Sequence, residues 1–299
     1  MYVHGYLRQS GTQRDLVHSG NILRPKSESR SWLVHPGGYR LQLVPLVFDR
    51  PYSKNMHLKA TLNYLSLFCL TGFLLSCDIL GSGPCLEGSG SIKKEVRNVV
   101  AFKGVDMRIA GNVVITEGKA PEVSLESYSN LLKEIKTEVV NQTLVIRSES
   151  CLEYSNEEAT VYITMPDIEH VELKSSGHVR VQAVPSSQKL RVGLSGSGTI
   201  HYLGSIARIN LLHSGSGQIT LEGFANHLET TLSGSGKIEG YFMNADTAKV
   251  LSSGSGIQQI WVNGTFDATV TGSGNIYYRG NPASISTYVT GSGKVVNGN

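Results

Sequence analysis

Charge is scarce in this chain. Only 17% of its 299 residues are Asp, Glu, Lys or Arg, where an average domain carries about 25%. With 40% apolar residues, that composition excludes a solvated, disordered polymer. Proline is sparse at 9 while glycine reaches 33, and no Gly-X-Y period accompanies it, which excludes collagen. No run of about 18 apolar residues exists, so a multispan helical membrane protein is excluded as well. The 4 cysteines form no CxxC motif and no Cys/His cluster, so no zinc site is expected. What remains is one sizeable domain or two small ones, rich in β structure.

The net charge of +3 divides unevenly along the chain. Residues 1–55 hold 8 basic and 3 acidic residues; from Cys77 onward the balance is 18 basic against 21 acidic. Without its front the chain is acidic, and a nucleic-acid partner loses its electrostatic basis.

Residues 1–55 carry no sustained period of 2 or 3.6 and are interrupted by Pro25, Pro36, Pro45 and Pro51. Met56 then opens a different pattern: Lys59, an apolar stretch from Leu62 to Leu75, and a small residue before a cysteine. That is the layout of a secretory signal. Leu74-Leu75-Ser76-Cys77 resembles the lipobox of bacterial lipoproteins, in which cleavage precedes the cysteine and the cysteine is acylated. Several acyl chains, at about 0.8 kcal/mol per buried CH₂, make a stable anchor. An ordinary signal peptide with Cys77 incidental is the alternative. The expected organisation is an upstream extension over residues 1–55 preceding the true start, and a lipoprotein signal peptide over 56–76. A linker after the lipidated cysteine follows over 77–87, then a folded domain over 88–299. Cys69 falls in the signal. Cys85 and Cys151 remain in a compartment where disulfides persist. A bridge between them would close a loop worth about 4 kcal/mol; two unpaired thiols are the other reading.

The plainest signal is an internal repeat. Gly-Ser-Gly begins at Gly196, Gly215, Gly234, Gly254, Gly272 and Gly291, each preceded by Ser or Thr. The steps are 18 to 20 residues, and Ser175-Ser176-Gly177 is a degenerate precursor. Two positions past each corner stand Ile200, Ile219, Ile238, Ile276 and Val295, with Ile257 taken as the shifted member in the fourth repeat. Polar residues precede them, which is the alternation of a strand with one buried face. Before each corner a second alternation runs, with Val192, Leu211, Thr230, Val250, Ala268 and Thr287 inward. Arg191, Asn210, Glu229, Lys249, Asp267 and Ser286 point outward.

One unit of strand, loop, strand and corner cannot bury its own apolar face, but stacked coils can. The expected fold is therefore all-β: a right-handed parallel β-helix, or β-solenoid, with coils of about 19 residues and Gly-Ser-Gly corners. Glycine suits such corners because it tolerates positive φ and brings no Cβ toward the next coil ~4.8 Å away. A serine hydroxyl ladder and a charge ladder of Glu229, Lys249 and Asp267 are expected along the stack. A stack of hairpins is the runner-up. Between Val96 and Val181 the repeat is obscured. Strands are expected at 113–116, 122–125, 143–146, 160–164 and 170–173, with one helical turn at 130–135, all continuing the solenoid and capping its first coil.

Phe102-Lys103-Gly104-Val105, Gly111-Asn112-Val113-Val114-Ile115-Thr116-Glu117-Gly118, Ser129-Asn130-Leu131-Leu132 and the later Ser-Gly-Ser-Gly returns carry a family resemblance over about residues 88–298. The chain resembles the bacterial family of putative auto-transporter adhesins with a head GIN domain, a domain of unknown function. The resemblance implies a β-helix borne by a Bacteroidetes lipoprotein at the outer membrane or cell surface. It supplies no catalytic residues.

The function expected is that of a non-enzymatic, lipid-anchored cell-envelope protein presenting its solenoid for adhesion or for contact with an envelope protein or glycan. Its partners would be the membrane through the lipid on Cys77, a glycan or envelope protein, and a second copy through an open solenoid end. No catalytic, cofactor or metal residues are expected. The alternative is a carbohydrate-active β-helix, which needs a carboxylate pair or a cation site. Residues 194–299 hold only Glu222, Glu229, Glu239, Asp246 and Asp267. A second acidic group, Glu149, Glu153, Glu157 and Glu158, reads as a solvated loop. His201, His213 and His227 share no column, and His213 falls in an inward column as a core residue. Tyr202, Tyr241, Trp261, Tyr277, Tyr278 and Tyr288 are candidates for a sugar-stacking flank, while Tyr202 and Tyr278 occupy an inward phase that core packing explains at least as well.

Overall fold

The computed structural model describes residues 84–154, 159–186 and 189–299. The upstream extension, the signal peptide, Cys77 and residues 78–83 of the linker lie outside the described residues, as do Glu157 and Glu158.

In chain order the strands are β1 (Leu86–Glu87), β2 (Ile92–Arg97), β3 (Gly104–Met107), β4 (Asn112–Glu117) and β5 (Glu122–Tyr128). After a 3-10 turn at Leu131–Lys133 come β6 (Lys136–Val140), β7 (Thr143–Arg147), β8 (Leu152–Glu153), β9 (Thr160–Met165), β10 (His170–Leu173), β11 (His178–Gln182) and β12 (Leu190–Leu194). Four long strands follow: β13 (Thr199–His213), β14 (Gln218–Leu232), β15 (Lys237–Ser252) and β16 (Ile257–Val270). The chain closes with β17 (Asn275–Arg279), β18 (Ser284–Val289) and β19 (Val295–Asn297). Among the described residues there is no α-helix.

These strands stack as a parallel β-solenoid. One face, A, is built in spatial order from β7, β3, β10, β12, the second halves of β13 to β16, and β18. The other, B, is built from β9, β4, β11, the first halves of β13 to β16, then β17 and β19. The interval expected as a loop between two strands is instead bent strand: hydrogen-bonded pairing runs from Thr199 through Gly204 to His213 against Gln218 through Gly223 to Leu232. Gly223, at φ 118°, makes the bend.

The expected inward columns form the core. Val192, Leu211, Thr230, Val250 and Ala268 are all buried, as are Ile200, Ile219, Ile238 and Ile276. In the last strands the columns open: Thr287 is exposed and Val295 half-buried. Ile257 is a correction: Ile238 pairs with Gln258, which is fully buried, while Ile257 is 38% exposed. The backbone ladder, not hydropathy, sets which residue turns inward. The buried amide is tolerated because it accepts from Thr230 Oγ1 at 2.6 Å and donates to Leu251 O at 2.8 Å. The extra residue of that coil is absorbed elsewhere. Register shifts in β15 leave Tyr241, Phe242 and Met243 without partners in β16 as a bulge, while Phe242 and Met243 stay paired with Glu222 and Gly223 of β14.

The corners use glycine for one of the two expected reasons only. None of the Gly-Ser-Gly glycines has φ in the left-handed region. A Cβ on Gly215 or Gly234 would stand more than an ångström inside the 3.4 Å where ordinary contact with the preceding coil's carbonyl oxygen begins. Close stacking of backbone on backbone therefore demands the residue. The hydroxyl ladder does not form: Ser197, Ser216, Ser235, Ser255, Ser273 and Ser292 point to solvent, and no hydrogen bond joins them. Glu229, Lys249 and Asp267 do stand in register, but none of the ion pairs among the described residues involves them.

The N-terminal third continues the solenoid out of chain order. β3 and β4 form a layer between β7 with β9 on one side and β10 with β11 on the other. β5 runs antiparallel to β9 and β2, and β6 antiparallel to β7, so these three strands are cap rather than coil. The β6–β7 hairpin turns through Asn141 and Gln142, both at positive φ. Leu131, Leu132 and Ile135, buried at the end of the stack, close the core with Val123 and Leu125. Cys85 and Cys151 are joined by a disulfide, with Cα atoms 4.6 Å apart, beside the short parallel pair β1–β8.

Candidate functional site

The β15 bulge has a surface consequence. Phe242, carried on it, is 73% exposed, and its neighbours on the same corner are Trp261 at 40%, Leu203 at 39% and Phe224 at 37%. Pairing places them on four consecutive coils: Leu203 beside Glu222, Glu222 beside Phe242, Phe224 beside Asn244, and Asn244 beside Trp261. A coil spacing of ~4.8 Å makes this an apolar ridge about 15 Å long. Large apolar side chains gathered at one solvent-facing site mark interaction surfaces more often than chance exposure does.

Polar groups frame the ridge. The Arg279 guanidinium lies 4.2 Å from the centre of the Tyr241 ring. Burial pushes the Tyr241 phenol above its ordinary value, against the pull of that guanidinium. Glu222 is bonded to His201 Nε2 at 2.8 Å, and Asn263 Nδ2 donates to Asn244 Oδ1 at 2.8 Å.

Of the six candidate aromatic residues, only Trp261 and Tyr241 reach this ridge, and Tyr202 and Tyr278 take the inward places that their phase allows. Tyr202 is fully buried, and Tyr278 packs inward with its ring 4.8 Å from Phe266. Tyr277 lies on the outer side of face B and Tyr288 on face A. Sequence reasoning missed Leu203, Phe224 and Phe242, because a period-2 reading has no place for a bulge at a bend. A usable signal existed in the 20-residue step from Gly234 to Gly254.

Three shallow grooves accompany the ridge. One, of about 380 Å³, follows the serine corners from Ser197 to Ser255. A second, of about 450 Å³, runs along face A past Arg208, His227, Glu229, Lys249 and Asp267. A third, of about 430 Å³, lies at the N-terminal end of face B.

The acids are dispersed. Glu239 is bonded to Lys237 and Gln218, and Glu229 accepts from Asn210. Glu149 is held below the usual carboxylate range by Arg147, and Glu153 sits in β8. The histidines are equally scattered. His227 bonds Thr247 at an outer corner, while His213 is fully buried between Leu194 O at 3.0 Å and Gly217 O at 2.8 Å. No cluster able to hold a metal ion occurs among the described residues, and none of their helices is long and apolar enough to cross a membrane.

A parallel β-solenoid with open outer faces belongs to the class of repeat scaffolds, in which each coil packs only on its neighbours. Residues 101–282 match the family described as "Putative auto-transporter adhesin, head GIN domain", and the chain belongs to that family. Its fold is shared with a putative adhesin from Bacteroides fragilis, at 22% identity and TM-score 0.62, covering 71% of this chain and 99% of that one. A putative lipid binding protein from Parabacteroides distasonis is similar at 21% identity and TM-score 0.57, covering 72% and 99%. A putative adhesin from Parabacteroides merdae is similar at 18% identity and TM-score 0.54, with the same coverage. No curated protein matches the chain.

Proposed function

We propose that this chain is a non-enzymatic, lipid-anchored adhesin of the cell envelope, held at the outer membrane or cell surface through Cys77. Its solenoid presents the ridge of Leu203, Phe224, Phe242 and Trp261 to a protein or glycan. The ridge carries the reading, since Phe242 is held in solvent by a bulge that a regular coil would not need. Family membership and the lipobox-like Leu74-Leu75-Ser76-Cys77 support it. The dispersed acids favour binding over carbohydrate cleavage. Contact between copies through the exposed Ile285, Tyr288 and Val289 of β18 is part of the same proposal. Light scattering that finds only monomer at high concentration overturns that part.

The test of the whole is protease treatment of intact cells bearing wild type or Cys77→Ala, followed by membrane fractionation. Wild type should be membrane-bound and cleaved, and the variant released. A protein that is anchored but protected would end the adhesin reading. Phe242→Ala/Trp261→Ala should remain anchored and lose attachment of cells to a coated surface.

A further inference from the structure

The groove at the N-terminal end of face B differs from the other two in its chemistry. Two outward rows of side chains cross β9, β4, β11 and β13 there. One row runs Tyr162, Val114, Arg180, His201; the other runs Thr160, Asn112, His178, Thr199. Both rows must face out, because the alternating positions Val161, Val113, Val179 and Ile200 are buried in the core. Four strands at ~4.8 Å make each row about 14 Å long, room for one or two sugar rings.

The polar groups of the groove are incompletely used. The Arg180 guanidinium has no hydrogen-bond or ion-pair partner among the described residues, so all five of its N–H donors are open. His178 spends Nδ1 on Thr199 Oγ1 at 2.7 Å and keeps Nε2. His201 spends Nε2 on Glu222 at 2.8 Å and keeps Nδ1. The Asn112 side-chain carboxamide has no partner among the described residues, its backbone N–H being given to Ala159 O. Lys94 sets its ammonium 4.1 Å from the centre of the Tyr162 ring, which fixes that ring at the end of the row. None of the lining residues is acidic, although the chain from Cys77 onward carries more acid than base. The face-A groove, by contrast, includes Glu229 and Asp267, and the serine groove has no aromatic ring.

We propose that this groove binds an acidic saccharide. The pyranose ring lies on Tyr162 and Val114, its carboxylate takes the planar fork of Arg180, and its hydroxyls meet Asn112, Thr160 and His178. The site lies apart from the aromatic ridge and does not depend on the lipid anchor, so the two readings fail separately.

Titration calorimetry of the purified full chain decides it, with trigalacturonic acid as the probe, galactotriose as its neutral counterpart and sodium sulfate as a bare anion. Trigalacturonic acid should bind saturably, at least tenfold more tightly than galactotriose, and more weakly as salt is raised. Arg180→Gln should weaken it at least tenfold, and Tyr162→Ala severalfold. Arg191→Gln, which removes an exposed guanidinium from face A, should leave binding unchanged. Circular dichroism confirms that each variant is folded. Equal binding of the acidic and neutral sugars overturns the proposal, as does an unaltered affinity in folded Arg180→Gln. Equal competition by sulfate would make the site one for anions of any kind and likewise overturn it. Absence of saturable binding by folded wild type does the same.

Discussion

Replacing Gly215 by Ala tests the principle that organises this fold. Its Cβ would be driven against the carbonyl oxygen of Gly196 on the preceding coil, more than an ångström inside ordinary contact. Backbone cannot rotate away as a flexible side chain could, so the coils must part at that corner. Parting lengthens Gly215 N→Leu194 O at 3.4 Å and Gly217 N→Gly196 O at 3.3 Å, both already long. Losing two such bonds costs about 1 kcal/mol each, and overpacking adds about 1–3 kcal/mol. The expected loss is therefore about 3–5 kcal/mol, read as a lower midpoint in urea unfolding. The matched control is Ser216→Ala, one residue along the same corner. Ser216 is exposed and its hydroxyl has no partner among the described residues, so its removal should change stability by less than about 0.5 kcal/mol. A neutral Gly215→Ala would refute the close-stacking argument. A Ser216→Ala as damaging as Gly215→Ala would show instead that hydroxyls hold the corner.

Other expectations follow from particular residues. His213 presents two ring nitrogens to two carbonyl oxygens, and a neutral imidazole has only one N–H to give. Both carbonyls keep backbone donors, Ser214 N and Lys237 N, each at 3.0 Å. His213→Leu, matching Leu194 and Leu232 in its column, should therefore leave stability equal or raise it by about 1–2 kcal/mol; a drop beyond about 2 kcal/mol in thermal unfolding would contradict this. Cys85→Ser/Cys151→Ser should cost about 4 kcal/mol in the chain-entropy account of a bridge 66 residues apart, measured as denaturant midpoints with and without the bridge. Burial pushes the Tyr202 phenol up to about 12. Ionisation then favours the unfolded chain, so stability is full below pH ~10 and falls by about 2–3 kcal/mol as pH rises toward 12. Tyr202→Phe should flatten that fall in a pH series of unfolding curves, and an unchanged slope would assign it to other groups.

Legibility differed sharply along the chain. From Leu190 to Val270 the alternation of residue types named the inward columns that flank each corner, because each coil packs only on its neighbours and the repeat records that environment directly. The inward residues of the bent interval, such as Ile206, Ala225, Ala245 and Val262, were not named, since that interval read as loop. The failure at Ile257 and Gln258 is instructive: hydropathy pointed to the isoleucine, but hydrogen-bonded register turned the glutamine inward, and a partner for its amide made the burial tolerable. Most strand positions between Asn112 and Leu173 were also legible, β6 and β8 excepted, yet not their order in space. Nothing local tells β3 and β4 to lie between β7 with β9 and β10 with β11.

The candidate sites were harder to see than the scaffold. Trp261 and Tyr241 stood out as aromatic residues. Phe242 did not, since its exposure comes from a bulge created by two mismatched coil lengths. Tyr162, Asn112, Arg180 and His201 lie on four different strands, and only the parallel ladder brings them into one groove.

By itself, then, the sequence determined the coil length, the inward faces and the glycine corners, because each of these is a nearest-neighbour demand repeated until it becomes a period. Tertiary structure alone decided the layer order at the N-terminal end, the place where the longer coil bulges, and which distant outward residues share a groove. Those features depend on how separate segments stack, and side chains pointing into solvent leave no period by which that stacking could be read.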